Sequence, residues 1–109
     1  MERRPVMRGE VRWYQFAAPD KRRPVVVLTR NSIIPSLGEV TVAPVTTRIR
    51  DIPSEVALSK DDGLPRECAV NCDHLQTVPR GRLGATISRL SEEKMNGVAA
   101  AIRFALALD

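Results

Sequence analysis

The chain has 109 residues and a formal net charge of +4, a length that fits one domain and a charge that favours a polyanionic partner. Aromatics make up 4%, so the core has to be assembled from Val, Ile, Leu and Ala. A single histidine, His74, excludes an acid–base pair of histidines within one chain.

The charge is unevenly placed. Residues 1–50 carry ten Lys/Arg against four Asp/Glu, and residues 51–109 carry seven against nine. Fourteen of the seventeen cations are arginine, the residue suited to forked phosphate contacts. No apolar stretch follows the first arginines, and the C-terminal apolar stretch is interrupted by Arg103. Neither a secretory signal nor a membrane span is expected, and the cytoplasm is the expected compartment.

Residues 1–8 read as a basic, mobile leader of a single domain spanning 1–109. Gly9 to Phe16 reads as a first strand, with Trp13, Tyr14 and Phe16 available for packing. Lys21-Arg22-Arg23 then runs directly into Pro24-Val25-Val26-Val27-Leu28. That continuous apolar run predicts a strand over Pro24 to Arg30 buried on both faces, which would hold the cations at a fixed point. Asn31 to Gly38 is a loop. Val40 and Val42 alternate and the period slips around Pro44, which predicts a bulge or bend there. Thr46-Thr47-Arg48 closes that strand. Ser54 to Leu58, Cys68 to Asp73, Leu75 to Val78 and Ala85 to Leu90 are further extended segments. Ser91 reads as a helix N-cap with Glu92 and Glu93 in the first turn. Met95, Val98, Ile102 and Leu106 recur at helical spacing, an apolar stripe for the sheet or a partner. Short strands punctuated by Pro and Gly, then one helix, predict a mainly β fold with a C-terminal α-helix, as a small antiparallel barrel or strongly bent sheet.

Cys68, Cys72 and His74 invite a metal test. In an extended segment the two cysteines lie about 13 Å apart, too far for a disulfide or a shared zinc ion. They are expected as buried free thiols, with no metal and no cofactor. There is no Gly-rich phosphate loop and no Ser-His-Asp signal. The remaining groups, Arg, Lys, Thr and Asn, bind phosphates and stabilise developing negative charge. That is enough for RNA cleavage, because the 2′-hydroxyl is an internal nucleophile that needs only alignment and charge stabilisation.

Arg8-Gly9-Glu10-Val11, Arg23-Pro24-Val25-Val26-Val27-Leu28 and Val42-Ala43-Pro44-Val45-Thr46-Thr47, in that order, resemble toxins of the MazF/PemK family. Asp62-Gly63-Leu64, Gln76-Thr77-Val78 and Leu83-Gly84 before the helix follow the same layout, so the resemblance spans roughly residues 8–109. It implies an SH3-like barrel that forms a homodimer and acts as a metal-independent, sequence-specific endoribonuclease on single-stranded RNA. It also implies a cognate MazE-like antitoxin that lays an acidic segment over the dimer groove. The family's catalytic pair maps onto Arg23 and Thr46. Lys21, Arg22, Thr47, Arg48, Asp73, His74 and Gln76 are the accompanying candidates for substrate binding. Two departures stand out: only six residues, Ala17 to Arg22, join Phe16 to Arg23 where the family often has a longer loop, and the common Asp-Gln pair is Asp73-His74. Two other classes compete, a non-catalytic gyrase inhibitor on a similar barrel and a plain nucleic-acid-binding module. The second is disfavoured by the scarcity of rings for base stacking.

Overall fold

A computed structural model describes residues 5–19 and 21–108. Seven strands form one antiparallel sheet: β1 (Glu10–Gln15), β2 (Arg22–Val27), β3 (Glu39–Thr46), β4 (Glu55–Leu58), β5 (Cys68–Asn71), β6 (Gln76–Pro79) and β7 (Thr86–Arg89). Among the described residues, a C-terminal helix, α1 (Glu92–Leu106), and three short 3-10 turns complete the regular structure. The strand order is β4-β5-β3-β2-β1-β7, with β6 also on β3. The fold is a strongly bent, half-barrel sheet of the SH3-like type with one helix.

β3 is the hub. One edge pairs with β2 over three positions, Val25 opposite Pro44, Val26 opposite Ala43 and Val27 opposite Val42. Its other edge changes partner: Glu39 to Val42 pair with β6, whereas Val45 and Thr46 pair with β5. The register with β2 is constant from Val42 to Pro44, without a bulge, and its paired stretch ends at Pro44, where the other edge passes from β6 to β5. The slip in the sequence pattern has another cause. Val40 and Val42 are buried on one face of the sheet, and Ala43 and Val45 are buried on the other. When both faces are dry, alternation no longer reports a bulge. The irregularity of the sheet falls instead between Val11 and Arg12, where β1 pairs with β7.

The first core face is covered by α1. Val98 and Ala101 are buried against Val11, Val26, Val45 and Val70, with Met95 and Ile102 partly buried beside them. Ser91 caps the helix by accepting the Lys94 N–H at 3.1 Å. Leu106 does not complete the stripe. It is 53% exposed, in company with Phe104 and Leu108. The second core face packs Val25, Val27, Val40, Val42 and Val78 under Phe16, Ile34 and Leu83.

Of the leader expected over 1–8, residues 1–4 lie outside the described residues. Val6 packs on the second core face, Met7 N–H donates to Glu10 Oε1 at 2.9 Å, and the Arg8 guanidinium donates to the Leu28 carbonyl. Gly9 then adopts φ +91° at the start of β1, a left-handed conformation that glycine tolerates without strain. Inside β1, Arg12 Nη1 meets Glu10 Oε1 at 2.9 Å, and its Nε donates to the Gly84 carbonyl at 2.8 Å. This pair is almost fully buried and ties β1 to the approach of β7.

Candidate functional site

The cations of the Lys-Arg-Arg-Pro run are part of the sheet. β2 begins at Arg22, two residues earlier than the apolar pattern alone predicts. Pro24 sits opposite Trp13, Arg23 opposite Tyr14, and Arg22 opposite Gln15. Side chains alternate between faces, so Arg23 projects to the face that holds Val25 and Val27, and Arg22 projects to the other. The contacts agree. Arg23 is half-buried, with its guanidinium 5.9 Å from the Phe16 ring centroid. Arg22 is exposed and lies over the Trp13 ring at 4.2 Å.

The β2–β3 register brings the two principal candidates together. The last paired positions are Val25 and Pro44, and Arg23 and Thr46 each lie two residues beyond that pair, at the same end of the two strands. Thr46 shares the face of Val42 and Val40, which is Arg23's face. Its Oγ1 accepts the Arg48 N–H at 3.0 Å. A hydroxyl that accepts from its own backbone keeps its proton free to donate outward. Gln76 pairs with Val42 and lies on the same face, about 13 Å along β3 from Thr46 at the usual rise of a strand.

The remaining candidates are spread around this pair. Lys21 and Arg48 are exposed at the strand ends. Thr47 falls on the opposite face, where it helps line a cavity of about 230 Å³ with Trp13, Pro24, Leu64 and Arg66. His74 is exposed in the turn between β5 and β6, and its N–H donates to the Asn71 carbonyl at 3.4 Å. The Asp73 carboxylate accepts the Ser54 hydroxyl at 2.5 Å and lies 3.5 Å from Arg50 Nη2, so it is engaged within the protein.

The sequence reading missed the group that Asp73 belongs to. Arg50 Nε donates to Glu55 Oε2 at 2.9 Å, while the Arg50 and Asp51 N–H groups donate to Glu55 Oε1 at 2.9 and 3.2 Å. Burial alone would push the Glu55 carboxyl up. Hydrogen bonds and charge from Arg50, with the Asp51 N–H, outweigh it and hold the group below the ordinary carboxylate value. Arg50 lies in the loop and Glu55 begins β4, five residues on, a spacing that carries no periodic signal.

Both cysteines are buried and unpaired. Burial, reinforced by the charge of Asp73, pushes the Cys72 thiol up to about 11, and burial with Asp62 raises Cys68. Neither is a thiolate nucleophile near neutral pH. Among the described residues no three His, Cys, Asp or Glu side chains are grouped to hold a metal ion, and no helix is long and apolar enough to cross a membrane.

Comparison with known proteins gives a consistent result. Residues 7–106 match the model of the PemK-like, MazF-like toxin of type II toxin–antitoxin systems. The chain is 42% identical over 94 residues to endoribonuclease MazF3 of Mycobacterium tuberculosis (strain ATCC 25618 / H37Rv), covering 86% of this chain and 91% of that protein. Its fold superposes on the Mycobacterium tuberculosis toxin MazF-mt6 with a TM-score of 0.84 at 39% identity, covering 92% of this chain and 98% of the other. A mycobacterial endoribonuclease in complex with its cognate antitoxin gives the same TM-score of 0.84 at 26% identity, with coverages of 95% and 97%.

Proposed function

This chain belongs to the PemK-like, MazF-like toxin family of type II toxin–antitoxin systems, and from that premise we propose that it is an endoribonuclease that cleaves single-stranded RNA at a short recognition sequence. The observation that supports the reading is that Arg23 and Thr46 each lie two residues beyond the last β2–β3 pair, Val25 with Pro44, on the same face by strand alternation.

In this reading the substrate's own 2′-hydroxyl gives its proton to solvent as its oxygen attacks the adjacent phosphorus, and the P–O5′ bond breaks so that the 5′-oxygen leaves and takes up a proton. The products are a 2′,3′-cyclic phosphate and a 5′-hydroxyl. Arg23 stabilises the charge growing on the non-bridging oxygens or donates a proton to the leaving oxygen; a guanidinium that stays protonated is a poor base. Thr46, with Oγ1 already accepting from Arg48, donates its hydroxyl proton to the same phosphate. Lys21 and Arg48 beside that point, Gln76 further along the same face, Arg22 and Thr47 from the opposite face and His74 from the β5–β6 turn contact the RNA as it passes over the surface. The internal nucleophile removes the need for a metal-bound water.

The protein acts in the cytoplasm as a homodimer. Phe104, Leu106 and Leu108, exposed at the end of α1, offer apolar surface to a second copy. The partner that restrains it is a MazE-like antitoxin whose acidic segment competes with RNA for the basic face.

The test is cleavage of RNA by purified protein in excess EDTA, with the new 5′-hydroxyl ends sequenced. Wild-type protein should cut at a defined short sequence. Arg23→Ala and Thr46→Ala should each lose about a hundred- to a thousandfold in rate while remaining folded. Near-wild-type cleavage by either folded variant would refute the catalytic assignment.

A further inference from the structure

The segment between Thr46 and Glu55 has little to hold it. Residues 47–51 and 53 are exposed, Ile52 is half-buried, and only Ser54 is buried. Ile49, its largest apolar side chain beside Ile52, is 46% exposed. A loop with no apolar core of its own is ordered by its hydrogen bonds, and here they converge on two carboxylates. Glu55, with a side chain only 2% exposed, receives three donors: Arg50 Nε, the Arg50 N–H and the Asp51 N–H. The loop reverses at Asp51, which has φ +56°. Arg50 then reaches onward to Asn71 Oδ1 at 3.3 Å and to Asp73 Oδ2 at 3.5 Å, and Ser54 joins the same Asp73. The clamp therefore fastens the loop to its own following strand and to the β5–β6 turn. At the near end of the loop, the Arg48 N–H lies on Thr46 Oγ1 at 3.0 Å.

We infer that Glu55 is a positioning residue for the proposed RNA cleavage, acting through Arg50 and the 47–51 backbone to hold the Arg48 N–H against Thr46 and so aim the Thr46 hydroxyl proton. The inference rests on Thr46 being catalytic, and it gives Asp73 the role of anchoring Arg50 and Ser54. β3 itself is held by its ladder to β5 through Thr46 and Ala69, so losing the clamp leaves the Thr46 backbone in place and releases only the hydroxyl's direction. The expected signature is a loss in kcat with KM little changed. A misdirected catalytic group costs up to about a hundredfold.

The experiment combines cleavage kinetics with amide hydrogen exchange on wild type, Glu55→Ala, Glu55→Gln and Arg50→Ala. Glu55→Ala should lose protection at the Arg50 and Asp51 amides, and its kcat should fall about ten- to a hundredfold with KM within about threefold. Glu55→Gln retains Oε1 for both backbone donors and should recover most of kcat. Arg50→Ala alters a half-exposed residue. It should fold as wild type and lose about three- to tenfold in kcat, so the test stands even if Glu55→Ala fails to fold. Wild-type kcat in folded Glu55→Ala or in Arg50→Ala, or a loss confined to KM, overturns the inference. If the wild-type protein cleaves no RNA, the functional reading fails; the exchange data still decide whether Glu55 orders the loop.

Discussion

The Glu10–Arg12 pair and the Glu55–Arg50 pair join the same two groups at the same 2.9 Å, in opposite settings. Glu10 and Arg12 lie within one strand, and both side chains are about nine-tenths buried. Their unused hydrogen-bonding capacity goes to the Met7 N–H and the Gly84 carbonyl. Glu55 is buried more deeply still, with a side chain 2% exposed, but its partner Arg50 is 42% exposed, and the donors Glu55 gathers belong to a loop. The first pair secures the closure of the sheet. The second secures a surface segment beside the proposed catalytic threonine. Depth decides the difference, because a charge that cannot reach water has to be satisfied by protein.

Removing one partner of the inner pair should have the largest effect on the fold. Arg12→Ala leaves the Glu10 carboxylate buried beside an unmatched Gly84 carbonyl, and is expected to cost about 3–5 kcal/mol in urea unfolding. Cleavage per folded molecule should stay near wild type. A cost below about 1 kcal/mol, the range of exposed pairs, would show that the two pairs do not differ as described.

The outer pair should respond to acid before the barrel does. The Glu55 carboxyl is depressed in the folded protein, so its contribution is present above the unfolded glutamate value, about 4.3, and is lost as pH falls through the lower folded value. The groups facing it are Arg50, permanently charged, and, across Arg50, Asp73. Protection of the Arg50 and Asp51 amides should hold from neutral pH to about pH 5. It should then fall on further acidification while the amides of β2 and β3 stay protected. Glu55→Gln should remove that acid step. Simultaneous loss in loop and sheet would mean that the clamp is not an independent unit.

Arg22 offers the smallest effect. It rests on Trp13, an exposed cation–π contact worth about 0.5–1 kcal/mol. Arg22→Ala should leave kcat unchanged and raise KM a few-fold. It should also lower the salt slope of RNA binding by about 0.7 if Arg22 neutralises one phosphate on a single strand. Trp13 is the only tryptophan, so its fluorescence reports the change directly. An unaltered salt slope would remove Arg22 from the RNA contacts.

Much of the molecule was legible in the chain. The Val25–Leu28 run announced a strand dry on both faces, Ser91 announced the helix, and the ordered Arg-Pro and Pro-Val-Thr-Thr segments announced the family. Those signals are local: propensity, capping chemistry and a fixed order of residues. At Pro44, where a bulge or bend was expected, the register shows no bulge, because alternation identifies one only where one face is wet. The helical stripe was expected to pack on the sheet or on a partner, and periodicity alone does not say which residues, such as the exposed Leu106, go to which.

The sequence by itself therefore named the candidates, since Arg23 and Thr46 stand at the ends of apolar runs and match the family's pattern. Only the tertiary structure decided their relation. Both lie just beyond the last β2–β3 pair, Val25 with Pro44, on one face, and the adjacent Arg22 turns to the other, over Trp13, because pleating reverses every second side chain. The tertiary structure also decided that Asp73 faces Arg50 and Ser54. A contact between a loop and a turn some twenty residues further on is fixed by the packing of β4 on β5, and no local pattern of charges encodes it.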